Sequence, residues 1–378
     1  MNTLTPPLFP PQNLSTTLTD RLYKLHARLL ESVPAVDRIA CALHDEADDM
    51  LRTYVNSTRS GHALSGYRFR LADSPSLSQL AREGSWRTIE DIPGTLGREH
   101  AHSAWVIDEG YHSSFTVPMY DNGKFLGFVF FDSLQPAAFT PAVQRDLALY
   151  SNLINMTLAS EFNTVRQLVA TVQVARDLTH MRDFETGDHL ERMSRISRLI
   201  AEVVAPQCGR NDEFVQQILL FAPLHDIGKI AVPDRILLKP GKLEADERAI
   251  METHVAKGVE MIDRILSDIG LQQSTDSQLM RNIVRFHHEY LDGSGYPAGL
   301  RGDEIPLEAR IVTVADVFDA LTSMRPYKRA WSIENACVEL ERMAHVGQVD
   351  ARCVAALRQQ IGAVEAIVRQ FRDEPDGG

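Results

Sequence analysis

Imidazoles and carboxylates recur inside the largely apolar C-terminal half of this 378-residue chain. Glu185 and His189 stand four apart in Glu185-Thr186-Gly187-Asp188-His189, so on a helix they share a face. His225-Asp226 follow in Leu224-His225-Asp226-Ile227-Gly228-Lys229, His254 in Glu252-Thr253-His254-Val255, then the adjacent pair His287-His288. Asp316 sits in Val314-Ala315-Asp316-Val317-Phe318-Asp319. The runs Ile218-Leu219-Leu220-Phe221 and Ile311-Val312-Thr313-Val314-Ala315 mark the surrounding helices as buried. Groups that prefer water are not buried together unless they pair tightly or grip a metal ion.

Taken singly, each of these residues has an ordinary explanation. A Glu-x-x-x-His pair is usually a solvated helix face, and an Asp among apolar residues can be a satisfied core carboxylate. The set together fits a metal centre. Phosphodiester hydrolysis at neutral pH needs a strong nucleophile, compensation for charge growing on the phosphoryl oxygens, and help for the leaving oxygen. Two neighbouring divalent cations supply all three, and mixed imidazole and carboxylate ligands suit them.

The length suggests two domains of roughly 100–200 residues each. The first dozen residues are Pro-rich, with residues 1–14 expected to be disordered. A helical pattern is read from Leu18 to about Leu51. Strands are expected at Thr53-Tyr54-Val55 and Tyr67-Arg68-Phe69-Arg70-Leu71, with a short helix over Ser74 to Glu83. Two β-rich runs, Ser114 to Tyr120 and Lys124 to Phe131, flank Asp121-Asn122-Gly123, a hairpin signal because the tight turn needs positive φ. Thr140-Pro141 then opens a helix. That helix is expected to run on toward Asp183, with Val165, Leu168, Val172 and Ala175 as a seam that pairs two chains or packs on its own domain. Beyond it the pattern is helical throughout: Leu178–Ala205, Asp212–Leu224, Ala245–Leu266, Asp276–His287, Leu307–Met324, Ser332–Ala344 and Ala351–Arg372.

The formal net charge of -12 argues against a nucleic-acid coat, since phosphate backbones are bound by clustered Lys and Arg. It leaves room for a small phosphate ester held through cations. Cys41, Cys208, Cys337 and Cys353 are far apart and form no CxxC pair, so reduced structural thiols of a cytoplasmic protein are expected. No leader peptide and no apolar run of about 18 residues is read, so membrane insertion is not expected.

The order helix, strands, hairpin, helix over residues 15–160 resembles a GAF domain, a sensory α+β module; no residue cluster identifies a ligand for it. The C-terminal stretches resemble the HD-GYP subgroup of HD-domain phosphohydrolases. The resemblance is carried by Glu185 to His189, His225-Asp226-Ile227-Gly228-Lys229-Ile230-Ala231-Val232-Pro233, and His287-His288-Glu289. It continues through Asp292-Gly293-Ser294-Gly295-Tyr296-Pro297, Ile305 to Val312, Asp316 to Ser323, and Arg325-Pro326-Tyr327-Lys328. The fold implied is an N-terminal α+β GAF-like domain followed by an all-α HD-GYP domain. The boundaries expected are 15–160 for the sensor, 161–183 for a connecting helix, 184–372 for the phosphodiesterase domain and 373–378 for a tail.

The family resemblance implies hydrolysis of cyclic di-GMP to pGpG and, in some members, on to GMP, with two or three divalent ions, iron or manganese. It implies Glu185, His189, His225, Asp226, His254, His287, His288 and Asp316 as metal ligands, with Asp226 bridging and Glu185 serving a third ion. His225, Asp226 and Lys229 are the catalytic candidates; Lys229, Gly295, Tyr296, Arg325 and Lys328 are the substrate contacts. Val255 stands where many members carry Pro after the His, a local departure at a helix start. A homodimer and a small ligand of the GAF-like domain are further expectations. Two alternatives stay open: a non-catalytic module that binds cyclic di-GMP or a partner protein, and an HD phosphohydrolase of another nucleotide.

Overall fold

The computed structural model describes residues 17–59, 62–98, 101–178, 187–268, 275–323 and 330–371, with the side chains of residues 164–178, 275 and 276 left aside. The N-terminal part is a six-stranded antiparallel sheet with helices on both faces. Helix α1 (Leu18–Ser32) opens on a capping box in which Thr17 and Asp20 satisfy each other's backbone. Strands β1 (Arg38–Asp45), β2 (Met50–Thr58) and β3 (Arg68–Arg70) follow. The helical reading of Leu18 to Leu51 is therefore corrected: only its first half is helix. Arg38 to Cys41 are buried on successive residues, because both sheet faces are covered, and that erases the alternation that announces a strand.

Helix α2 (Pro75–Glu83) is capped by Ser74 and ended by Gly84 in the left-handed region. Strand β4 (Arg87–Ile89), α3 (Ile92–Thr95) and α4 (Ala101–Asp108) lead to β5 (Ser113–Asp121) and β6 (Lys124–Ser133). The hairpin turn is as expected: Asn122 and Gly123 both have positive φ, 47° and 81°. The sheet order is β3-β2-β1-β6-β5-β4. Helices α1 and α5 (Pro141–Leu178) bury one face around Ile39, Phe115, Val129 and Phe131. The side chains of the expected seam at Val165, Leu168, Val172 and Ala175 lie outside the described residues.

The C-terminal part is helical, apart from an isolated bridge between Asp292 and Arg301. Helix α6 (Gly187–Gln207) packs against α7 (Asp212–Phe221) and against four later elements. Those that follow α7 are α8 (Asp234–Leu237), α9 (Ala245–Asp268), α10 (Thr275–Phe286), α11 (Leu307–Thr322), α12 (Ile333–His345), α13 (Ala351–Gln359) and α14 (Ile361–Gln370). The single helix read over Ala351–Arg372 is two, α13 and α14, parted at Gln360. Helix α11 is buried nearly all round, as its apolar composition requires.

Charged and polar groups join the two parts. The Glu213 carboxylate on α7 accepts from the first backbone N–H groups of α1, Leu18 at 2.7 Å and Thr19 at 3.1 Å, and from Thr19 Oγ1 at 2.6 Å. Asp45 on β1 accepts from Arg198 at 2.6 Å and Arg195 at 3.0 Å, both on α6. Glu202, also on α6, pairs with Arg68 at 3.1 Å and Arg52 at 3.5 Å. Asp212 accepts from Thr53 Oγ1 at 2.5 Å and from Gly66 N at 2.9 Å.

Candidate metal centre

Chain segments far apart in sequence deliver the candidate ligands to one place. His189 lies in the first turn of α6, His254 on α9, Asp316 on α11, and His287-His288 at the end of α10. His225 and Asp226 sit between two short 3₁₀ turns, 222–224 and 227–231. Gly228 lets the second turn press onto α9: a Cβ there would stand 1.9 Å from His254 O and 2.5 Å from Gly258 N. The turn bearing Asp226 and the helix bearing His254 are thus in backbone contact.

The side chains gather in two adjoining groups. Asp226, His254, His287 and His288 offer ligand atoms within 4.8 Å of one another, and so do His189, His225 and Asp316. His225 joins them, with Nε2 at 3.1 Å from Asp226 Oδ2 and 3.9 Å from Asp316 Oδ1. His254 Nε2 is 3.1 Å, and His287 Nε2 3.6 Å, from Asp226 Oδ1.

Hydrogen bonds elsewhere fix which ring nitrogen carries the proton. His225 Nδ1 donates to Ala222 O at 2.9 Å, His254 Nδ1 to Met251 O at 2.7 Å, and His287 Nδ1 to Ile283 O and Val284 O at 3.1 Å. Carbonyls only accept, so the proton is on Nδ1 and a neutral ring presents a lone pair on Nε2. Burial lowers the pKa of His287 and lowers that of His288 far below the ordinary imidazole value, so both favour the neutral ring. For Asp226 burial acts upward, but the Lys229 ammonium outweighs it and holds the carboxyl well below the usual range.

A carboxylate oxygen therefore faces imidazole lone pairs at contact distance. His254 Nε2, His287 Nε2 and Asp226 Oδ1 are buried and make no hydrogen bond among the described residues. Acceptors crowded on acceptors repel, and a divalent cation between them turns repulsion into coordination. The donor set, imidazole nitrogen with carboxylate oxygen, fits such an ion.

Lys229 Nζ lies 2.8 Å from Asp226 Oδ2 and is 21% exposed, at the rim. Tyr296 packs beside the same group, its ring 4.7 Å from that of His288 and 6.4 Å from that of His254. Burial and the nearby Asp226 and Glu252 carboxylates push its phenol pKa up, so it stays protonated. Its loop is held by Glu289, which accepts from Ala298 N at 2.6 Å and Leu300 N at 3.0 Å. A Cβ on Gly295 would lie 2.4 Å from His288 O and Tyr290 N.

Glu185, Arg325 and Lys328 lie outside the described residues. The remaining candidates, His189, His225, Asp226, Lys229, His254, His287, His288, Gly295, Tyr296 and Asp316, are brought together. The motif reading gave no role to Asp319 or Arg192. Asp319 accepts from His189 Nδ1 at 2.7 Å and from Arg192 Nε at 2.7 Å.

Among solved structures, the GAF domain of a two-component sensor histidine kinase from Bacillus halodurans is 17% identical, covering 41% of this chain and 99% of that one, with a TM-score of 0.33. The cyclic di-GMP phosphodiesterase response regulator RpfG of Xanthomonas campestris is 44% identical over 60% of this chain and 56% of its own length. The 3'3'-cGAMP-specific phosphodiesterase 2 of Vibrio cholerae is 38% identical over 53% of this chain and 37% of its own. The chain thus spans about half, or less, of the length of these curated relatives. The profile of the HD domain matches residues 151–353, more than half of the chain and every described ligand candidate: this protein belongs to the HD domain family.

Proposed function

We propose that this chain is a metal-dependent phosphodiesterase that hydrolyses cyclic di-GMP to pGpG or on to GMP, under the control of its N-terminal domain. The observation that carries the reading is the ring of Nε2 lone pairs turned onto the Asp226 carboxylate. The names of relatives such as RpfG point to the substrate.

His189, His225, Asp226, His254, His287, His288 and Asp316 would hold two divalent ions, with Glu185 serving a third. Such ions supply an activated water and offset charge on the phosphoryl oxygens. Lys229 places an ammonium beside Asp226, where it stabilises negative charge growing on the phosphate. Tyr296 offers an aromatic face and a hydroxyl to the nucleotide, and Gly295 allows its loop the close approach it makes. Arg325 addresses a guanine edge or a phosphate in a fork, and Lys328 adds a point charge. Iron or manganese is the proposed metal.

The proposed divisions are a sensor over 15–160, a connecting helix over 161–183 and a catalytic domain over 184–372. The sensor is proposed to be GAF-like and to take a small ligand, and the active species to be a cytoplasmic homodimer. No described helix is long and apolar enough to cross a membrane.

The test is protein purified without oxygen, analysed for metal, then incubated with cyclic di-GMP and 3'3'-cGAMP while products are separated. Cyclic di-GMP turnover that disappears in His225→Ala with Asp226→Ala supports the reading. Unchanged turnover in that soluble double variant sinks it. Preferred cleavage of 3'3'-cGAMP transfers the same chemistry to the substrate named for the Vibrio relative.

A further inference from the structure

We infer that Asp319 is a positioning residue that fixes His189 as an Nε2 ligand and sets the cation affinity of the group His189, His225 and Asp316. This rests on the reading of the cluster as a metal centre.

His225, His254 and His287 hand their Nδ1 protons to backbone carbonyls three or four residues upstream. His189 differs. Its Nδ1 meets a carboxylate oxygen, Asp319 Oδ2, at 2.7 Å and 130 residues away in sequence. A carboxylate fixes the tautomer as a carbonyl does, and as an anion it also makes the imidazole a stronger electron donor through Nε2. Asp319 lies on α11 one turn after Asp316, so one helix face supplies a candidate ligand and the support of another.

The carboxylate is itself held on several sides. Arg192, one turn after His189 on α6, donates Nε to Oδ1 at 2.7 Å and Nη2 to Oδ2 at 3.1 Å. Ser323 Oγ donates to Oδ2 at 3.0 Å. Arg192 also reaches Ser323 Oγ at 2.7 Å and Phe371 O at 2.6 Å, near the end of the described chain. Asp319 is fully buried, with a relative exposure of 0%. A pure α6–α11 clasp would need only the Arg192 fork. The additional bond to Nδ1 of a candidate ligand is what assigns the positioning role.

Removing the carboxylate alone would strand the Arg192 charge, so the test uses two full-length variants, Asp319→Asn and Asp319→Asn with Arg192→Gln. In metal-free protein, ¹⁵N chemical shifts of the His189 ring read its tautomer directly. The wild type should be protonated on Nδ1, and the variants should shift population to protonation on Nε2. In Mn²⁺ titrations the variants should lose about 10- to 100-fold in affinity for one ion, the loss usual for a supporting residue of a metal ligand. The ion at Asp226, His254, His287 and His288 should be retained. A folded variant with the wild-type tautomer and both wild-type affinities overturns the inference. Wild-type protein that takes up no divalent cation would overturn the proposed function, and the metal-free tautomer comparison would still decide the role of Asp319.

Discussion

Lys229 Nζ, on the short 3₁₀ turn 227–231, lies 2.8 Å from Oδ2 of Asp226, the residue that leads into that turn. The pair does two things at once. The ammonium helps keep the carboxylate ionised in a buried place, and its own partial exposure leaves it able to meet a phosphate. Replacing Lys229 with Met should lower kcat/KM by about 100- to 1,000-fold, the usual effect of removing one donor to transition-state charge. Metal content should stay near wild type, because the imidazoles remain. Parallel loss of metal and of activity would place Lys229 in ion retention instead.

Gly228→Ala should damage the site through the backbone. Its new Cβ would collide with His254 O, so the turn bearing Asp226 and helix α9 must part. Overpacking of this kind costs about 1–3 kcal/mol. Thermal unfolding should show that loss, together with reduced metal uptake. An unchanged melting temperature and unchanged metal binding would mean the turn can shift freely.

Acid should loosen the joint between the two parts. Burial acts to raise the pKa of Asp45, but Arg198, Arg195 and Arg52 outweigh it and depress it strongly. A depressed carboxyl contributes stability that is whole above its unfolded value, about 3.9. That contribution fades as pH falls below this value toward the folded one. Small-angle scattering should therefore report an unchanged compact particle from pH 7 to about 4 and separation only as pH falls further toward the folded value. In Asp45→Asn the onset should no longer track carboxyl protonation.

Glu213→Ala should weaken the same joint at its other end. The carboxylate accepts three hydrogen bonds at the start of α1 and is buried, so its loss costs about 1.5–3 kcal/mol, the range for bonds to a charged group. Limited proteolysis should then cut the chain between the parts faster than in wild type. Equal cutting rates would show that the clasp at Asp45 suffices alone.

Much of the site was legible because titratable residues stand out against apolar helices: His225, His254, His287 and Asp316 are conspicuous in sequence and adjacent in space. Asp319 and Arg192 were not legible as a pair, since 127 positions separate them and each alone reads as an ordinary helix charge. The hairpin was legible because Asn122-Gly123 states its own backbone geometry. Strand β1 was not, since Ala40-Cys41-Ala42-Leu43 carries no two-residue period once both faces are covered. Near the break between α13 and α14 the sequence offers one weak signal, Gly362, two residues past Gln360.

Helix α6 carries His189 near its beginning and Arg195, Arg198 and Glu202 farther along, where the sheet grips it. Arg198 is 3% exposed, so withdrawing Asp45 would leave a guanidinium walled in by protein with its strongest counter-charge gone. The helix that bears a candidate ligand is thus also the one the sheet holds by charge, so a displacement of the sheet acts on the rod that reaches the candidate metal centre.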